Sequence, residues 1–306
     1  MAWTAQNIGD QTGKTFVVTG ANSGIGLEAV RQLAKHGAHV VMACRSADKA
    51  AAAVENIKAD VPDASLEVVS LDLANLDSVA ACAKTIKAAH PSFDVLVNNA
   101  GIMAIPRTLT QDGFEMQLGT NHLGHFALTA QLFDAIKPDG RVVCVGSLAH
   151  NLGKINFDDL MGETKYQKWG AYNQSKLANV LFYKELDRRL QSGGQAIKAV
   201  GCHPGYSSTN LQGVGPKVSG NPVRRGLWKM ANVFTGMSAA TGALPTLLAA
   251  CDTTVKSGDY YGPRGLAHVW GKPKKHATHA KALDAAVAGR LWETSETLTG
   301  VKFPVN

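Results

Sequence analysis

The sequence predicts a single-domain α/β fold: a doubly wound, mostly parallel sheet of about seven strands, flanked by helices. Three observations carry this. Short apolar runs alternate with helical repeats, a glycine-rich turn joins the first strand to the first helix, and polar or glycine residues end strand after strand.

Residues 15–19 read as a short apolar strand. Gly20-Ala21-Asn22-Ser23-Gly24-Ile25-Gly26 follows, with a helical pattern over 24–36. Strand, glycine turn and helix form the context that a nucleotide-phosphate loop requires. Gly20 permits the tight turn, Gly24 lets backbone approach phosphate, and Gly26 lets the helix pack closely on the strand. The N–H groups at the helix start would face the anion. A bare glycine turn is the competing reading.

The second strand, 38–43, ends at Cys44-Arg45-Ser46. About 20 residues after the glycines, a carboxylate reads a ribose 2′-hydroxyl, whereas an Arg accommodates a 2′-phosphate. Arg45 stands there with no adjoining acid, which favours NADP(H) over NAD(H). The alternative is a surface charge in a loop. Helix 47–59, strand 66–71 into Asp72-Leu73, helix 76–90 and strand 93–97 follow. Right-handed crossovers between such units give a parallel sheet with ligands beyond its carboxyl edge. Asp72 and Asn98-Asn99-Ala100-Gly101 fall at that edge, although the latter also reads as a simple strand-to-loop turn.

Residues 114–135 read as one long helix with Asn121 inside it, a poor helix residue unless it bonds locally. Strand 141–145 delivers Gly146-Ser147, and a polar insertion, 150–168, precedes a helix over 172–190. Tyr172 and Lys176 lie four apart in that helix and so leave one face, where the cation can bear on the phenol proton. Alone, that spacing is common by chance. Strand 197–202 ends in His203-Pro204-Gly205, and 206–225 is a Gly/Pro/Ser/Asn-rich loop. Helices are expected at 227–234 and 239–250, the second kinked by Pro245. A short strand at 260–263 and an Ala-rich helix at 278–298 complete one domain, 1–306. Its parts are a cofactor-binding and catalytic core (14–205), a substrate lid (206–257) and the C-terminal helix.

Of the residues, 45% are hydrophobic and 18% charged, ordinary for a chain with a full core. There is no long uncharged apolar run and no apolar N-terminal leader, so a cytoplasmic protein without a membrane span is expected. Five cysteines, none in a C-x-x-C pair, point to reduced, mostly buried thiols. His122 and His125 lack companions for a metal set and read as helix packing. The net charge is +7, part of it in Lys272-Pro273-Lys274-Lys275-His276. That segment reads as a solvated surface loop. No aromatics interleave it, so no nucleic-acid partner is expected.

With the glycine turn, Asn-Asn-Ala-Gly, Ser147 and the Tyr/Lys pair in order, the sequence resembles the short-chain dehydrogenase/reductases over about residues 14–261. It looks most similar to their retinol-dehydrogenase and protochlorophyllide-reductase-like branch. Ala43-Cys44-Arg45, Thr120-Asn121-His122-Leu123-Gly124-His125-Phe126, Ser147-Leu148-Ala149-His150, His203-Pro204-Gly205 and Arg290-Leu291-Trp292-Glu293 carry that likeness. The resemblance implies a Rossmann-type domain with Asn121, Ser147, Tyr172 and Lys176 as a catalytic tetrad. It also implies cofactor contacts from Gly20, Asn22, Ser23, Ile25, Arg45, Asp72, Leu73, Asn99, Lys176 and Thr209, beside Gly24, Gly26, Ala100, Gly101, Pro204 and Gly205. Gly146, where a second Ser is frequent, and Ser207, in place of a branched residue, depart from the branch.

The reaction expected is alcohol–carbonyl interconversion. Tyr172 would be acid and base, with its phenolate favoured by Lys176 together with the positive nicotinamide of the oxidised cofactor, Ser147 would donate to the substrate oxygen, and Asn121 would hold a relay water. A non-catalytic NADP(H)-binding sensor or scaffold is the alternative, which an intact tetrad disfavours. Trp228, Met230, Phe234 and Met237 point to a hydrophobic or aromatic substrate. They read equally as core or as a face for a second copy, which leaves a homo-oligomer open.

Overall fold

The computed structural model describes residues 2–205 and 237–305. Eight strands form one sheet in the order β3-β2-β1-β4-β5-β6-β7-β8. They are β1 (Thr15–Thr19), β2 (His39–Cys44), β3 (Ser65–Ser70), β4 (Phe93–Asn98), β5 (Ile136–Val145), β6 (Lys198–Cys202), β7 (Tyr260–Pro263) and β8 (Pro273–His276). All neighbours are parallel except β7 and β8. The order reverses between β1 and β4, which opens a crevice at the carboxyl edge.

Alternation along the strands divides the core in two. Val17, Val41 and Leu96 face one layer, whereas Phe16, Val18, Val40 and Met42 face the other. The second layer is closed by α1 (Gly24–Lys35) and α2 (Ala47–Asp60). The first is closed by α3 (Leu76–Ala89), α4 (Gly124–Leu132) and α5 (Lys168–Ser192). Polar caps start α2 and α3 where the sequence changes period. Ser46 Oγ accepts from Lys49 N, and Asn75 Oδ1 accepts from Asp77 N at 2.9 Å and Ser78 N at 3.2 Å.

Four sequence expectations change. The sheet has eight strands, because the basic segment expected to be a surface loop is the edge strand β8, antiparallel to β7. Its proline opens the strand and its lysines lie on the exposed edge, where charge discourages further pairing. Residues 114–135 are not one regular helix. A turn at Met116–Leu118 leads into a π-helical turn, Gly119–Leu123, then α4, and a 3₁₀ turn, Phe133–Ala135.

The helix α6 (Ala239–Cys251) contains Pro245. That helix packs Ala243, Leu247 and Leu248 against α1 in the second core layer, so this part of the expected lid belongs to the core. Residues 206–236, with the other lid residues and the expected helix 227–234, lie outside the described residues. The C-terminal segment splits into a 3₁₀ turn, Ala280–Leu283, and α7 (Ala285–Thr299). The Asp284 carboxylate forces the break by capping Ala286 N and Val287 N, both at 3.0 Å.

α7 docks through Trp292 into an aromatic cluster. Its ring lies 5.2 Å from Phe126, 5.8 Å from Phe182 and 4.6 Å from Phe303. Phe126, fully buried, touches all three. Phe126→Ala is expected to cost about 3–5 kcal/mol. Urea unfolding checks this, and a loss below about 1 kcal/mol would mean that the cluster does not hold α7.

Candidate active site

The crevice is built from the glycine turn upward. Gly20 and Gly24 have φ of +64° and +56°, a region unfavourable to residues with a Cβ. A Cβ on Gly26 would lie 2.4 Å from Gly20 O and 2.6 Å from Asn99 Nδ2, so only glycine lets α1 approach the turn. The turn is fastened to the end of β4. Asn99 N and Ala100 N both donate to Thr19 Oγ1 at 2.9 Å, and Asn99 Nδ2 donates to Thr19 O at 2.8 Å. Ser23 is extended at the N-cap of α1 without a capping side-chain bond, which leaves the helix start open to an anion.

Arg45 stands exposed just beyond β2, and Asp72 and Leu73 follow β3. Asp72 Oδ1 accepts from Ala74 N at 3.0 Å. Leu73 is buried against Gly124, where a Cβ would lie 2.4 Å from Leu73 O. Gly205, with φ +70°, donates its N–H to His203 Nδ1 at 3.2 Å beside Pro204. Thr209 lies outside the described residues.

β5 and α5 supply the reactive groups. Tyr172 is 6% exposed, Lys176 4% and Asn121 0%, whereas Ser147 at the end of β5 stays partly open. Ser147 lies near enough to Tyr172 to oppose the effect of burial on its phenol. Lys176 Nζ donates to Val145 O at 3.1 Å and stands 6.0 Å from the Tyr172 ring centre. Gly101 fits against the same groups: a Cβ there would lie 3.1 Å from Asn121 Oδ1 and 3.4 Å from Lys176 Nζ. The tetrad and the glycine turn therefore share one edge.

Asn121 explains the π turn. Its Oδ1 accepts from Ile102 N at 2.8 Å, and its Nδ2 donates to Ile102 O at 3.0 Å and Ser175 Oγ at 2.9 Å. The widened turn lets one amide hold the loop after β4 and helix α5 together. Both side-chain donors are spent, so a water here has only a lone pair of Oδ1 to bind.

Burial sets the charges. It raises the Tyr172 phenol above its ordinary value, with Ser147 opposing, and pushes the Lys176 ammonium down to about 8. In the protein alone desolvation governs the phenol, with Lys176 Nζ 6.0 Å from the ring centre; the expected pull toward phenolate rests on Lys176 acting together with the positive charge of an oxidised cofactor. His122 and His125 are pushed down by burial to about 3 and about 4 and stay neutral. Both pack in the helix as expected, but each also bonds a hydroxyl, Ser295 Oγ and Thr19 Oγ1, at 2.9 Å. All five cysteines are free and buried.

A family profile described as short chain dehydrogenase matches residues 14–216. The chain belongs to that family. Retinol dehydrogenase 13 of Homo sapiens is 40% identical over 301 residues, covering 95% of this chain and 86% of its own. Retinol dehydrogenase 12 of Homo sapiens is 39% identical over 295 residues, with 95% and 88% covered. A solved structure described as a putative uncharacterized protein from Mycobacterium Paratuberculosis superposes with a TM-score of 0.83 at 40% identity, over 99% of this chain and all of that one. These relatives place the chain in the retinol-dehydrogenase branch. The short-chain dehydrogenases are oxidoreductases that bind nicotinamide cofactors.

In this short-chain dehydrogenase, sequence reasoning gave no role to Thr19, His125 or Ser175 in the site. Ser175 lies between Tyr172 and Lys176, takes the Asn121 amide and donates to Tyr172 O at 2.8 Å. A serine three residues after a helical tyrosine was the available signal, since its hydroxyl can bond back to the preceding turn. Asn121→Ala strands Ile102 N–H and C=O. It is expected to lower stability by about 1–3 kcal/mol. Chemical denaturation reads this directly; wild-type stability in that variant would show that Ile102 finds other partners.

Proposed function

We propose that the protein is an NADP(H)-dependent oxidoreductase that interconverts a hydrophobic alcohol and its aldehyde or ketone, with Tyr172 as acid and base. The observation carrying this reading is the convergence of Tyr172, Ser147 and buried Lys176 and Asn121 beside the glycine turn. The cofactor, when bound, supplies the hydride. The turn at Gly20, Gly24 and Gly26 and the uncapped start of α1 would take its pyrophosphate, with Asn22, Ser23 and Ile25 around them. Arg45, exposed and without an adjoining acid, would take a 2′-phosphate. Asp72, Leu73, Asn99, Ala100, Gly101, Pro204 and Gly205 would line the rest, and Lys176 would hold ribose hydroxyls. Thr209 completes the proposed set.

In reduction, Ser147 donates a hydrogen bond to the carbonyl oxygen and Tyr172 passes its phenolic proton to that oxygen as the carbon gains hydride. A phenol raised by burial is protonated at neutral pH, which suits this role. Oxidation runs the proton back to a phenolate, which Lys176 and a further positive charge beside it would stabilise. The relatives are named retinol dehydrogenases, so retinal and retinol are the first pair to assay. The five free buried thiols fit a reducing compartment such as the cytoplasm. No helix among the described residues is long and apolar enough to cross a membrane.

The test is NADPH and NADH consumption with retinal and a panel of aromatic and aliphatic ketones. Tyr172→Phe is expected to lower turnover by about 100-fold or more while leaving cofactor affinity unchanged. Near-normal turnover would sink the assignment, and equal use of NADH would remove Arg45's role. The pH profile gives a second check. Lys176 is charged below about 8 and neutral above it, while Tyr172 stays protonated beyond that range. For reduction, kcat/KM for the cofactor should therefore fall as pH rises through about 8. A profile flat from pH 7 to 9 would mean that the Lys176 charge is not used.

A further inference from the structure

At the opposite end of the sheet, His39, Glu67 and His90 converge from three elements. His39 opens β2, Glu67 lies in β3, and His90 caps α3. Their ligand-capable atoms lie within 4.8 Å of one another, and all three side chains are partly exposed. His90 Nε2 is 2.7 Å from Glu67 Oε2, while His39 Nε2 is 3.7 Å from the same oxygen. The first is a hydrogen bond; the second is too long for one. His39 Nε2 is buried and has no partner, although its other ring nitrogen is held at 2.8 Å by Ser65 Oγ.

We propose that His39 Nε2, Glu67 Oε2 and His90 Nε2 form a binding site for a divalent transition-metal ion such as Zn²⁺. Ligands about 2.0–2.2 Å from a tetrahedral ion stand roughly 3.3 Å apart. The two separations to Glu67 Oε2, 2.7 and 3.7 Å, bracket that value, so small side-chain shifts complete the set. Two imidazoles and a carboxylate suit zinc or its neighbours better than calcium or magnesium, and water would fill the open fourth position. The Ser65 bond to His39 Nδ1 is the outer support that fixes a ligating ring, with the proton on Nδ1 and the Nε2 lone pair facing the carboxylate. For His90 to ligate, its proton moves from Nε2 to Nδ1, and the Glu67 oxygen exchanges that hydrogen bond for the ion. The ion would tie the edge strand β3, its neighbour β2 and the end of α3, far from the carboxyl edge that carries the tetrad.

The other cluster of this kind among the described residues, His203, His268 and His276, is a poorer candidate. The rings of His268 and His276 stack 3.8 Å apart, and His203 Nδ1 already accepts from Gly205 N–H. It serves as the internal control. Isothermal titration of the EDTA-treated full chain with ZnCl2 is expected to show one ion bound per chain, with affinity lowered at least tenfold by His39→Gln and by His90→Gln. The ring signals of His39 and His90 in wild-type protein should shift in NMR spectra during the same titration, a reading that does not depend on the variants folding. Absence of saturable binding would overturn the proposal. So would binding that both variants retain, or that His268→Gln removes.

Discussion

One hydroxyl joins the two halves of the site. Thr19 Oγ1 accepts the N–H groups of Asn99 and Ala100 and bonds His125 Nε2, each at 2.9 Å, in a position with no solvent access. His125 Nδ1 in turn donates to Asn121 O at 3.0 Å, and Asn121 reaches Ser175 on the helix of Tyr172 and Lys176. The path from glycine turn to acid–base pair is thus a continuous chain of buried hydrogen bonds. Burial makes each member costly to leave unpaired, so the chain tolerates little slack. A neutral His125 is required by it, since one ring nitrogen accepts and the other donates; burial keeps the ring neutral.

The same burial shapes the reactivity of the pair. Desolvation moves Tyr172 up and Lys176 down, against the charged form of each. Buried thiols at Cys144 and Cys202, raised to about 12, are neutral neighbours of Lys176 and offer it no counter-charge. An unpaired buried ammonium is expensive. Val145 O, at 3.1 Å, is the backbone partner that holds it in place. Burial thus leaves the Lys176 ammonium with little compensation and favours the protonated form of the Tyr172 phenol.

The scaffold keeps this chain aligned through packing on both faces. Period-two alternation along β1 and β2 feeds two apolar layers, and the aromatic cluster around Phe126 and Trp292 fastens the C-terminal helix to the helices carrying Asn121 and Tyr172. Lysines on β8 close one edge of the sheet, and Lys275 pairs there with Asp259. Those charges, conspicuous in the sequence, belong to the edge rather than to the crevice.

Local patterns settled much of this from the residues alone. The strand–turn–helix at Thr19 to Gly26 was legible because φ above zero and close helix packing select glycine wherever that turn occurs. The types and order of Ser147, Tyr172, Lys176 and Asn121 singled them out in the sequence, and folding brings them to one edge of the sheet. Strand β8 was not: Pro-Lys-Lys-His has no apolar alternation and becomes a strand only when β7 offers its edge. Likewise, nothing near Thr19 or His125 in the chain announces their bonds to Asn99 and to each other, 80 and 106 residues apart, and the local spacing of Ser175 does not announce Asn121, 54 residues away. The π turn at Asn121 and the upward shift of Tyr172 also exist only after β4, β5 and α5 have met. The sequence determined which groups are available; tertiary packing decided their partners, their charge and their reach, because hydrogen bonding and desolvation depend on neighbours that the chain brings together only by folding.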